Sequence, residues 1–262
     1  MLETRRRSTR VVLQVVVSLV ALPYLLPLIV MVQGSLAGEG WRNYQVALSV
    51  PNIGSFFLNS AIIAACTMVL VYCFTISAAF GFAKLRNRFK EAFFWLMLAA
   101  LTLPEVVLLT PLFVTFLRIG LYATLWAVVI PLAALQIPFT VLITRNYVAA
   151  LPDQLFEAAR VDGADVVRTF WHIVLPMTKP MAAAVMVLTL IGAWNDYLLP
   201  LVFLPNPNVQ TITLLPSFFI GQYTDDQTKV LAVTVITALP EVIAYLGLQR
   251  FFERGFAAGV LR

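Results

Sequence analysis

Glu105, Asp196 and Glu241 each interrupt a long apolar run, where a carboxylate can accept hydrogen bonds, pair with a cation or face water. Around the second of them, Trp194-Asn195-Asp196-Tyr197 sets two hydrogen-bonding side chains between two aromatic rings, a combination suited to hydroxyl groups on a ring-shaped solute. A third polar island lies between two hydrophobic runs: Glu157-Ala158-Ala159, then Asp162-Gly163, then Ile173-Val174-Leu175-Pro176. These sets do not form a hydrolytic centre. None of the 12 glycines sits in a phosphate-cradling G-x-x-x-x-G-K-[S/T] loop, and there is neither a nucleophile elbow nor an H-E-x-x-H pair. His172 is the single histidine and cannot build a metal site, and Cys66 and Cys73 read as buried packing residues. No catalytic residue, metal site or bound cofactor is therefore expected in this chain.

The elements that position these residues follow from composition. Of 262 residues 61% are hydrophobic and 12% charged, so the main solvent is a bilayer. Six runs are long enough for its core of roughly 30 Å: residues 11–32, 57–82, 92–116, 125–144, 180–204 and 229–251. The first run is too long for a signal-peptide core and is read as a span. On this assignment Glu105 and Glu241 fall near mid-bilayer and Asp196 somewhat toward the outer face, all three expected to face the bundle interior because a lipid-facing carboxylate is costly. Eight prolines, Pro23, Pro27, Pro104, Pro111, Pro131, Pro138, Pro200 and Pro240, also lie in spans. Each frees a backbone carbonyl, which suits either kinked helices around a wet pathway or ordinary helix packing.

Orientation follows from the basic residues. Fifteen of the 18 Lys and Arg lie at the two ends of the chain, between the second and third spans, or between the fourth and fifth; Arg42, Arg118 and Lys229 lie on the other side. Lys- and Arg-rich short loops stay cytoplasmic, which puts both termini and the Glu157 island inside and explains the net charge of +5 without nucleic acid. Residues 146–179 are too polar to span. They predict two short helices: one with Pro152 in its first turn and Gly163 as its left-handed stop, the other capped by Asp165, with Val167, Phe170, Trp171 and Val174 on one apolar face and Pro176 as its end. Periodicity alone also suits a helix pair lying on the headgroups.

The island's spacing resembles the EAA signature of the membrane-spanning subunits of binding-protein-dependent ABC importers: Glu-Ala-Ala, three residues, Gly, nine residues, Ile, one residue, Leu-Pro. The resemblance implies an all-α integral membrane protein of the type I ABC importer permease fold, with six transmembrane helices and a cytoplasmic coupling-helix segment (146–179) between helices 4 and 5. Residues 1–10 would be a cytoplasmic N-terminus, 11–251 the permease domain and 252–262 a cytoplasmic tail. It implies that Glu157, Ala158, Ala159, Asp162, Gly163, Ile173, Leu175 and Pro176 couple to a separate ATPase, one of two ATPase subunits that bind ATP and Mg. A paralogous permease and an extracytoplasmic solute-binding protein, docking on outer loops 35–56 and 205–228, would complete the assembly in the inner membrane.

Trp194-Asn195-Asp196-Tyr197-Leu198-Leu199-Pro200-Leu201 is similar to a run of carbohydrate-type permeases, those related to the maltose and glycerol-phosphate importers. Asn59-Ser60, Thr213-Leu214-Leu215-Pro216 and Gln249-Arg250-Phe251-Phe252 extend that likeness. It departs in a short first outer loop and in the tail Gly259-Val260-Leu261-Arg262. The implied role is a non-enzymatic permease for a sugar or sugar derivative, with Glu105, Trp194, Asn195, Asp196, Tyr197 and Glu241 along the pathway. The alternatives are an ABC permease for an amino acid, peptide or phosphate ester, or an ion-coupled secondary transporter.

Overall fold

In hydrocarbon no water satisfies backbone N–H and C=O groups, so a long apolar run closes its hydrogen bonds within itself as helix. The computed structural model describes the backbone of residues 7–220 and 226–260 and the side chains of residues 9, 11–220, 226–247 and 249. In chain order its helices are α1 (Arg7–Ser35), α2 (Arg42–Leu48), α3 (Ile53–Lys84), α4 (Lys90–Ala99), α5 (Glu105–Arg118), α6 (Trp126–Ala149), α7 (Asp153–Val161), α8 (Val166–Thr169), α9 (Leu175–Met177), α10 (Lys179–Trp194), α11 (Leu198–Phe203) and α12 (Gln227–Val260). Single turns of 3-10 helix (Ala100–Thr102) and π-helix (Phe170–Val174) and a longer 3-10 stretch (Ile212–Phe219) lie between them. Four helices are long and apolar enough to cross a bilayer, and two bent pairs bring the count to six if each is one span. The expected tail from residue 252 continues α12 to Val260, while residues 1–6, 261–262 and part of the expected outer loop 205–228 lie outside the described residues.

The chain divides into two compact units, one drawn from Met1–Pro51 and Leu215–Leu239, the other from Asn52–Leu214 and Pro240–Arg262. In the first unit every side chain described from Val11 to Val30 is exposed, an apolar surface suited to lipid or another subunit. The end of α1 is closed by Asn43, whose Nδ2 donates to the carbonyls of Ser35 at 2.9 Å and Ala37 at 2.8 Å. Gly34 lets Leu231 of α12 approach: a Cβ there would stand 2.5 Å from the Leu231 Cδ1.

The second unit is built on α3, α6 and α10. Val71, Ala133, Ala184 and Val185 interlock where the three meet, and the hydroxyls of Thr75 and Thr140 share a buried hydrogen bond of 2.7 Å between α3 and α6. Ile63, Val128, Leu132, Phe116, Leu199 and Phe203 fill a larger core toward the other end. Cys73 is exposed and Cys66 half-buried, so the expectation of two buried cysteines does not hold: Cys73 lies on the outward face of α3.

Two expected spans are broken. The third, read as one run over 92–116, is α4 and α5 meeting at 99°. Leu103 precedes a proline and takes extended backbone, φ −83° and ψ 119°, which ends the helix and restarts it at Glu105. The fifth, read as 180–204, stops at Trp194 and resumes at Leu198. A continuous helix would push the Pro200 ring against the Asp196 carbonyl. That carbonyl instead accepts a hydrogen bond of 2.8 Å from the Thr213 hydroxyl.

Candidate functional site

The Glu157 island is held against the membrane helices at several points. Pro152 is the cap of α7 rather than part of its first turn, with Asp153 opening the helix. Lys84, at the end of α3, crosses to meet it: its Nζ donates to the Leu151 carbonyl at 2.8 Å, the Ala149 carbonyl at 3.3 Å and the Asp153 Oδ1 at 2.7 Å, and lies over the Phe156 ring at 4.8 Å. Phe80 of α3 stacks on Phe156 at 6.5 Å between centroids and meets Phe170 at 5.9 Å. Ile76, Val174 and Ala182 complete this apolar joint.

The ammonium of Lys84, by hydrogen bond and charge, holds the Asp153 carboxyl below the usual carboxylate value of 3.8. A carboxyl depressed on folding adds stability above its unfolded pKa and loses it as pH falls through its folded one. The α3–α7 link is therefore expected to be fully present at neutral pH and to loosen only below about pH 4. Hydrogen-exchange protection over residues 149–157 checks this; a loss already complete at pH 5 would contradict it.

Along α7, Phe156 and Ala159 point inward while Glu157, Ala158 and Asp162 are exposed and Val161 is 87% exposed. Ala158, not Ala159, is thus the alanine open to a partner. Gly163 closes the helix at φ +73°, its N–H donating to the Arg160 carbonyl at 3.1 Å while the Ala164 N–H reaches back to Ala159 at 2.9 Å. Asp165 then caps α8, its Oδ1 accepting from the Arg168 N–H at 2.7 Å.

The second half of the island differs from expectation. Pro176 does not end the helix; it sits in the first turn of α9, where a missing N–H is tolerated, and the chain turns at Thr178 instead. The apolar face also shifts. Val167 and Trp171 are exposed, whereas Thr169, Val174 and Thr178 are buried at intervals of five and four residues. A π-helical turn advances five residues per hydrogen bond, so it rotates the buried face by about one residue. Ile173 and Leu175 are half-buried and Pro176 is exposed.

Within the membrane helices, the breaks at Pro104 and Asp196 bring two of the acids together. Glu105 and Asp196 line one cleft of about 410 Å³ with Gln136 of α6 and Gly192 of α10. The third acid is placed differently: the Glu241 Oε1 accepts from the Asn195 Nδ2 at 2.8 Å. Trp194 is buried and Tyr197 exposed. Asn59 and Ser60 tie the start of α3 to the segment after α11, Asn59 Nδ2 donating to the Asn208 and Gln210 carbonyls at 3.0 Å and the Ser60 Oγ accepting from the Ile212 N–H at 2.9 Å. Neither Lys84 nor Gln136 belongs to a motif in the sequence. The signals were a lysine at the edge of an apolar run and an uncharged amide inside one.

Apolar helices broken in mid-span around a polar cleft, with an amphipathic segment packed on their ends, are the parts of a multi-pass membrane transport component. This chain belongs to the family of binding-protein-dependent transport system inner membrane components, the match covering residues 71–257. It is similar to the probable ABC transporter permease protein YurM of Bacillus subtilis (strain 168), 34% identical over 210 residues, 80% of this chain and 70% of that one. The lactose transport system permease protein LacG of Rhizobium radiobacter is 31% identical over 270 residues, 98% of each chain. The melibiose/raffinose/stachyose import permease protein MelC of Bacillus subtilis (strain 168) is 26% identical over 272 residues, again 98% of each. In fold the chain resembles a bacterial ABC transporter involved in the import of the acidic polysaccharide alginate, with a TM-score of 0.77 at 22% identity over 95% of this chain and 99% of that one.

Proposed function

We propose that this chain is one permease subunit of an ATP-driven importer for a sugar or sugar derivative, six spans with both termini cytoplasmic. The observation that carries the reading is the direct succession of α8, α9 and α10, bent by 73° at Thr178, which leads from the exposed island to the broken segment Trp194-Asn195-Asp196-Tyr197 at the membrane cleft. Relatives named for lactose and for melibiose, raffinose and stachyose favour a sugar over an amino acid, peptide or phosphate ester. In this reading a paralogous permease supplies the other wall, and two ATPase subunits bind below, one of them docking on Glu157, Ala158, Val161 and Trp171. An extracytoplasmic solute-binding protein delivers the solute from outside, as in a related structure that holds an alginate pentasaccharide-bound periplasmic protein. This chain contributes no catalytic group, and ATP with Mg belongs to the ATPase subunits.

The exposed face of α7 fits a protein groove: Ala158 admits close approach and Glu157 offers a carboxylate whose charge-assisted hydrogen bonds are each worth about 1.5 to 3 kcal/mol. Closure of the ATPase dimer would move α7, and the Phe80-Phe156-Phe170 joint would pass that movement to α3 and α10.

Reconstituting the chain with its partner permease, ATPases and binding protein in vesicles tests the reading directly. Solute uptake should require ATP and every partner; uptake driven by an ion gradient alone would reject it. Glu105→Gln and Glu241→Gln variants, expressed to normal levels, are expected to transport at a reduced rate, and full transport by both would remove the acids from the pathway.

A further inference from the structure

Three residues that line the cleft between α5, α6 and α10 each hold a buried polar atom without a hydrogen-bond partner: Glu105 Oε1, Gln136 Nε2 and Asp196 Oδ2. A buried polar atom left unpaired is destabilising, and these three belong to residues of separate elements that line one opening. A fold keeps such a cluster where a ligand or water meets it in turn.

We infer that this cleft reads the hydroxyls of a neutral, polyhydroxylated solute on its way through the membrane, Gln136 donating to a hydroxyl oxygen while Glu105 and Asp196 accept hydrogen bonds from hydroxyls. The assignment rests on the sugar-importer reading and narrows its substrate class. Each sugar hydroxyl is donor and acceptor at once, which one amide N–H beside two carboxyl oxygens can match. Among the described residues no Lys or Arg lines the cleft. A uronic or phosphorylated sugar would bring its negative charge to two carboxyl groups with no cation on this wall to receive it, a repulsive element that rejects the wrong solute.

Gly192 belongs to the same device. A Cβ at that position would lie 2.9 Å from the Gln136 Nε2, the mobile end of a side chain, so an alanine there displaces the amide without disturbing backbone. Two variants thus reach the same atom by different routes, Gln136→Leu by removing it and Gly192→Ala by moving it.

The test uses the complete transporter in vesicles with ATP inside, offered raffinose, lactose and a uronic trisaccharide at saturating binding protein. The neutral sugar accumulated best should exceed the uronic one at least tenfold. Gln136→Leu and Gly192→Ala should each slow its uptake about tenfold at equal amounts of assembled transporter, while Gln136→Asn, which keeps an amide, retains more. Equal or faster uptake of the uronic trisaccharide, or wild-type uptake by both Gln136→Leu and Gly192→Ala, would overturn the assignment and leave the importer reading standing. Accumulation of none of the three by the wild-type assembly would overturn both.

Discussion

A Gly163→Pro variant is expected to insert normally in the membrane and lose ATP-coupled uptake by about a hundredfold or more. Gly163 holds φ at +73°, and proline is confined near −65°, so the turn between α7 and α8 cannot form as it stands. Proline also removes the N–H that donates to the Arg160 carbonyl. A penalty of about 3 kcal/mol falls on one turn, which is enough to populate other arrangements of the exposed face. The spans themselves contain no part of this turn, so membrane levels should be those of the wild type. Gly163→Ala, with a penalty of about 1 to 2 kcal/mol, should show an intermediate loss. Uptake measured beside ATP hydrolysis in the assembled transporter decides the matter; normal coupling in the proline variant would mean that the α7–α8 turn plays no part in transmission.

Replacing Lys84 by methionine is the second large effect. Methionine keeps most of the apolar stem and removes the ammonium that serves two carbonyls, the Asp153 carboxylate and the Phe156 ring. The Leu151 carbonyl, partly buried, then lacks a donor at a cost of about 1 to 3 kcal/mol. Coupled uptake should fall roughly tenfold while ATP hydrolysis falls less, because α7 can still meet its partner and only its grip on α3 is loosened. Lys84→Arg should restore part of the loss through its own donors. Equal losses of uptake and hydrolysis, or no rescue by arginine, would reduce Lys84 to a residue needed only for folding.

Much of this architecture is legible in the sequence because a bilayer leaves few choices. Long apolar runs become helices, and the island stands out as the polar, patterned stretch between two of them. What the residues do not reveal is which proline breaks a helix. Pro131 and Pro138 sit inside α6 without ending it, while Pro104 and Pro200 lie at real breaks. In the second case the outcome rests on Thr213, a residue distant in sequence that takes up the freed Asp196 carbonyl. The π-helical turn is equally hidden: it moves Val167 and Trp171 from the expected inner face to the outside, and local periodicity assumes a constant pitch. Gln136 belongs to no local motif, and its meaning comes from the two acids that broken helices bring beside it.

The break after Trp194 has a mechanical consequence. Between the turn at Thr178 and that break, α10 is a single uninterrupted rod of 16 residues. At 1.5 Å per residue it is about 24 Å long, so tilting it by about 5° around its lower end sweeps the upper end through about 2 Å. That is most of the length of a hydrogen bond. A shift at the Phe80-Phe156-Phe170 joint too small to disturb aromatic packing would therefore be amplified into the making or losing of contacts at Asn195 and Asp196, and α11, lying beyond the break, need not follow.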